Sequence, residues 1–131
     1  MAIDCLVLDS EALSRAALRE RGMTGLLAAA HGKGIRVVTG SMTLIEAYHG
    51  QVRPAAWTWA MARMAVEPVT REVADAAIAL LRDTGLHGHK HAIDASLAVI
   101  ARRQPGNVAL YTSDLDDLER LCGGRVAVRK L

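Results

Sequence analysis

The chain has 131 residues, 16 Lys and Arg against 14 Asp and Glu, a net charge of +2 and a pI near 8.8. That length suits one domain, residues 1–131, with room for one real core, and a hydrophobic fraction of 51% excludes a disordered chain. Two cysteines are too few for a disulfide framework, and no stretch approaches the roughly 20 apolar residues of a membrane span, so a cytoplasmic protein with reduced thiols and no membrane partner is expected.

In chain order, residues 3–8 read as a strand, apolar except for Asp4. Residues 10–21 read as a helix with Leu13, Ala17 and Leu18 on one face, and 24–31 as an Ala-rich helix stopped by Gly32 and Gly34. A second strand is expected over 35–39 and a helix over 41–48. Pro54 suits the first turn of a helix reaching residue 65. Residues 66–69 read as a short strand. Val73, Ala77, Leu80 and Leu81 have helical spacing within 70–84. A loop over 85–88 leads to a helix over 91–103 that is apolar nearly all round, so deep packing is expected. A strand over 108–111, a helix over 114–121 and a strand over 125–128 complete the chain. This alternation implies an α/β fold with a mostly parallel central sheet of four to five strands flanked by helices. With no Phe, the core must be built from Leu, Val, Ile, Ala and Met.

Acids punctuate this pattern. Asp9 ends the first strand in LVLDS, and Asp114 stands just beyond the fourth in YTSDLDDL. In open parallel sheets ligands gather at the carboxyl ends of strands, so both acids reach one edge. Glu46, in TLIEAYHG, and Asp94, in HAIDASLAVIA, lie on helices among apolar residues. Each has a structural alternative. Asp9 and Asp114 suit helix N-caps, Glu46 fits a capping box from Thr43 unless Ser41 is the cap, and Asp94 could cap a helix that starts late. Together, four acids at one apolar edge repel each other unless some are protonated or a divalent cation holds them. All-oxygen ligands suit Mg2+ or Mn2+ rather than Zn2+.

These segments, LVLDSEALS, TLIEAYHG, AIDASLAVIA and YTSDLDDL, in this order along the whole chain, resemble the PIN-domain proteins. Within that group they are similar to the VapC-type toxins of type II bacterial toxin–antitoxin pairs. The resemblance implies a Mg2+- or Mn2+-dependent endoribonuclease that leaves a 5′-phosphate and a 3′-hydroxyl. It implies a catalytic and metal-binding quartet of Asp9, Glu46, Asp94 and Asp114, supported by Thr112 and Asp117. It also implies an RNA substrate, a cognate antitoxin and a homodimer. Glu11 departs from the pattern by adding an acid close to Asp9, either facing solvent or crowding the site.

Setting the quartet aside leaves ten acids against sixteen Lys and Arg, a weak pointer to a phosphate partner. His87, His89 and His91 in LHGHKHAID lack the cysteines or second cluster of a zinc site and read as an exposed loop, with contact to the nearby acids or RNA as the alternative. Trp57, Met61 and Met64 share a helical face that suits the core or a partner contact. Two rival functions remain: an aspartate-based phosphoryl-transfer domain, for which a suitably placed lysine is hard to find, and a noncatalytic PIN-like binding module.

Overall fold

A computed structural model describes residues 2–131. They form β1 (Cys5–Leu8), α1 (Ser10–Ala17), α2 (Arg21–Gly32), β2 (Arg36–Gly40), α3 (Ser41–Ala47), α4 (Pro54–Met61) and β3 (Ala65–Glu67). There follow α5 (Arg71–Thr84), α6 (Gly88–Arg103), β4 (Val108–Thr112), α7 (Leu115–Cys122) and β5 (Ala127–Lys130). The five strands make one sheet in the order β3-β2-β1-β4-β5, and every pairing is parallel. The expected α/β architecture is present, at the upper end of the expected strand number.

β1 sits at the centre, with Leu6 paired to Val37 of β2 on one side and to Ala109 of β4 on the other. The chain first builds outward from β1 through β2 to β3, then returns to add β4 and β5 across the sheet. The direction of winding therefore reverses beside β1. A crevice opens there at the carboxyl ends of β1 and β4, because the helices leaving the two strands go to opposite faces.

Alternation along the strands sorts the core into two layers. Cys5, Val7, Val38, Val108 and Leu110 face α5, α6 and α7, where Leu97, Ile100, Leu118 and Leu121 are buried. Leu6, Leu8, Val37 and Ala109 face the other way, onto Ala12, Ala16, Met23 and Leu27 of α1 and α2. The deep packing expected of the apolar helix holds, since every residue from Ala95 to Ala101 in α6 is buried.

Three expectations need correction. The helix expected to reach residue 65 ends at Met61, and Ala65 begins β3. The helix read over 10–21 ends at Ala17, because Arg19 takes a left-handed backbone with φ of 60°. That conformation is costly for a side-chain-bearing residue, but the Arg19 guanidinium stacks 4.3 Å from the Trp59 ring centroid, on a ring that Arg63 also approaches to 4.1 Å. Such cation–π contacts favour the bend. The loop expected at the histidines is instead the first turn of α6, which starts at Gly88 with His87 as its N-cap residue.

Asp4, the odd acid in the first apolar run, has a structural task. Its Oδ2 accepts the Asn107 N–H at 2.7 Å, tying the chain start to the turn before β4. Gly106 in that turn has φ of 82°, and a Cβ there would stand 2.5 Å from Asp4 Oδ2. Gly106→Ala should therefore destabilise the fold by roughly 1–3 kcal/mol in chemical denaturation. An unchanged denaturation midpoint would show that this turn is not constrained as described.

Candidate active site

The site begins with one carboxylate at the end of β1. Asp9 is 4% exposed. Its Oδ1 accepts the Ala12 N–H at 2.8 Å, capping α1, and its Oδ2 accepts the Ser113 N–H at 3.2 Å from beyond β4. The cap reading and the site reading thus describe the same side chain. Burial raises the Asp9 carboxyl above its ordinary value, while the bonds from Ala12, Thr112 and Ser113 pull it back down.

Thr112 joins the two strand ends. It is fully buried, and its hydroxyl bonds Asp9 while accepting the Asp114 N–H at 2.8 Å. Asp114 occupies the N-cap position of α7 yet makes no side-chain capping bond, which leaves its carboxylate for the crevice. Its carboxyl is raised by burial and by Asp117, against a lowering influence from His91.

Glu46 is exposed on α3, and neither capping arrangement forms. Gly40 is the cap residue, the Thr43 hydroxyl is buried without a partner, and Ser41 Oγ instead accepts the Val69 N–H at 3.0 Å. Asp94 lies in the second turn of α6 rather than at its cap. Its carboxyl is raised from 3.8 to about 7 by burial first, then by the charges of Asp114, Asp9, Glu46 and Asp117. That dependence means that Asp94 stands within electrostatic reach of every other acid of the predicted set.

All four quartet acids line one open cleft of about 470 Å³, with Met42, His89 and Lys90 on its walls. Asp117 stands just outside, its Oδ2 3.5 Å from Nδ1 of the buried His91. Glu11 lies outside the cleft lining and pairs with Arg15 at 3.2 Å, though its charge still adds to the rise of the Asp9 carboxyl. Met61 and Met64 pack on the α1/α2 core layer, while Trp57 meets Tyr48 edge-on at 5.1 Å. Lys90 and His89 went unrecognised in the sequence as cleft residues. The available signal was spacing, since Lys90 precedes Asp94 by four residues and shares its helical face.

A divalent cation fits the donor chemistry, which is dominated by carboxylate oxygens around one open crevice. Among the described residues no three His, Cys, Asp or Glu side chains close into a ready ligand set. The arrangement therefore suits an ion that keeps much of its water and takes one or two carboxylates directly, as Mg2+ does.

No family model matches the chain, and no curated protein matches it. Among solved structures, a chain in the crystal structure of VapBC2 from Rickettsia felis bound to a DNA fragment from their promoter is similar to it with a TM-score of 0.68. The match covers 97% of this chain and 98% of that chain, at 12% sequence identity. The fold is thus the PIN-like α/β fold, shared over its whole length.

The raised Asp94 carboxyl sets a pH dependence. A carboxyl whose folded pKa lies above its unfolded one favours the folded state while protonated, and that contribution is lost as pH rises from 3.8 to about 7. Without metal, the melting temperature should fall across this window, and Asp94→Asn should flatten the fall and raise stability at neutral pH. Asp9→Ala should do the reverse, costing about 0.5–2 kcal/mol through the lost cap and leaving the Ser113 N–H without its partner. Equal losses from both substitutions would contradict this division between a repelled carboxylate and an anchored one.

Proposed function

We propose that this chain is a metal-dependent endoribonuclease, the toxin of a toxin–antitoxin pair, acting in the cytoplasm. One observation carries the reading: four carboxylates line one cleft at the sheet's switch point, where burial first and then the neighbouring acids raise Asp94 to about 7. A fold that gathers acids and repels them in this way is preorganised for cations.

Asp9, Asp94 and Asp114 would hold one or two Mg2+ or Mn2+ ions, directly or through water, and Glu46 would complete the set or orient the attacking water. When bound, the cation lowers the pKa of water and offsets charge at the scissile phosphate. Asp9, locked by two backbone N–H groups, supplies the fixed point of the site. Asp94, whose carboxyl is raised to about 7, would lose its proton in order to hold an ion. Thr112 keeps Asp9 and Asp114 in register, and Asp117, anchored on His91, holds the start of α7 beside them.

The partner reading draws on two features. The similar solved chain comes from a VapBC2 complex. Beside the cleft, α3 and the residue after it expose Ile45 (72%) and Tyr48 (52%), apolar surface of the kind that marks protein contacts. An antitoxin, and a second copy of this chain, are the proposed occupants. Among the described residues no helix is long and apolar enough to cross a membrane.

The phosphoryl-transfer alternative is disfavoured because it calls for one nucleophilic carboxylate, whereas four line this cleft. A noncatalytic PIN-like module has no need of four clustered acids. The test is cleavage of single-stranded RNA by the purified chain with Mn2+, with EDTA, and after Asp94→Asn. Asp94 is a cleaner choice than Asp9, which also caps a helix. Cutting should require metal, leave 5′-phosphate ends and fall on the order of 100-fold in the variant. Metal-independent cutting, or full activity in a correctly folded variant, would sink the proposal.

A further inference from the structure

The nuclease reading explains the acids of the cleft but leaves its lysine without a task. Of the residues lining the cleft, four are carboxylates and Lys90 is the one Lys or Arg. Its environment is unusual in two ways.

First, Lys90 lies in the first turn of α6, where the helix dipole disfavours positive charge. That 16-residue helix has no acid in its first turn to compensate. Second, the Lys90 ammonium makes no ion pair or side-chain hydrogen bond among the described residues, although Asp94 stands one turn further along the same face. The order Lys then Asp at this spacing is the weaker of the two orientations for a helical ion pair. Lys90 is exposed, and exposed basic side chains are often unpaired. What distinguishes it is its place on the cleft wall, whereas some other basic side chains are engaged elsewhere. Arg15 pairs with Glu11 and Glu20, Arg71 with Asp75, and Arg19 and Arg63 stack on Trp59. A cation placed against its local rules, in a cleft and uncommitted, marks a position kept for a ligand rather than for stability.

We propose that Lys90 binds a non-bridging oxygen of the RNA phosphate held over the carboxylate cleft, an assignment that rests on the nuclease reading. The chemistry is complementary. The acids and their cation take one side of the phosphate, and a flexible ammonium acts as a point charge on another. Lys90 contributes no metal ligand, because an ammonium has no lone pair. It also counters the repulsion between the acidic cleft and the RNA backbone, which would otherwise oppose binding before chemistry.

The test compares wild type, Lys90→Ala and Lys90→Arg in steady-state cleavage of one single-stranded RNA with Mn2+ across a salt series. Calorimetric Mn2+ binding and melting temperature are measured on the same proteins. Lys90→Ala should lower kcat/KM roughly 10-fold or more, mainly through KM, with Arg restoring part of the loss. The slope of log(1/KM) against log salt should fall by about 0.7, the share of one single-strand phosphate contact. Mn2+ affinity should hold or rise, and the melting temperature should not fall. Unchanged KM and salt slope in Lys90→Ala would overturn the assignment. So would a loss accompanied by a lower melting temperature, which would make Lys90 a counterion of the acids, or by weaker Mn2+ binding, which would place its effect in the metal site rather than on the RNA. Wild type that neither cuts RNA nor binds Mn2+ would remove the nuclease reading itself, and this assignment with it.

Discussion

The Asp9 carboxylate is held from two sides, by the N–H of Ala12 in the helix that follows β1 and by the N–H of Ser113 in the segment that follows β4. These two bonds close the gap between adjacent parallel strands where the winding of the sheet reverses. They fix the origin of α1, orient the turn into α7 and set where Asp114 emerges. Thr112 reinforces the same junction through Asp9 and the Asp114 N–H. Most of the remaining site geometry is referred to this clamp, since Asp94 and Glu46 reach toward it from α6 and α3.

The clamp creates an electrostatic problem as well as a site. Two backbone N–H donors compensate for burying Asp9, whereas Asp94 has no comparable donors, and its carboxyl rises to about 7. The protein tolerates that tension because α6 is anchored by a fully buried, mostly apolar stretch from Ala95 to Ala101, immediately after the acid. Stability elsewhere in the helix holds a carboxyl where it is least comfortable. The arrangement is expected of a site whose relief comes from a ligand, and the outward-facing Glu46 and Asp114 leave the cleft open to one.

Much of this was readable from residue order alone. The alternation of short apolar runs with amphipathic stretches carries the α/β class, because a parallel strand buried on both faces must be apolar and its covering helix must be two-sided. The four acids were legible because each stands at a strand end or among apolar residues of a helical segment. Other features were not legible. Helix α1 stops at Ala17 because of a cation–π stack between Arg19 and Trp59, residues forty apart, which no local pattern announces. The start of α6 was hidden by Gly88 and three histidines, poor helix formers whose turn is held in place by His91 packing against Asp117. Lys90 was hidden with them, since a residue assigned to a loop has no helical face to share with Asp94.

The central claim is that these carboxylates are held against their mutual repulsion for a cation to enter. Titrating Mn2+ into the chain in a weakly buffered solution near pH 6, with a parallel titration above pH 8, tests it without reference to any substrate. Metal uptake should release up to roughly one proton per chain near pH 6, where Asp94 is largely protonated, and almost none above pH 8. Asp94→Asn should abolish the release. Mn2+ binding with no proton release at either pH, or no binding at all by the correctly folded chain, would contradict the account.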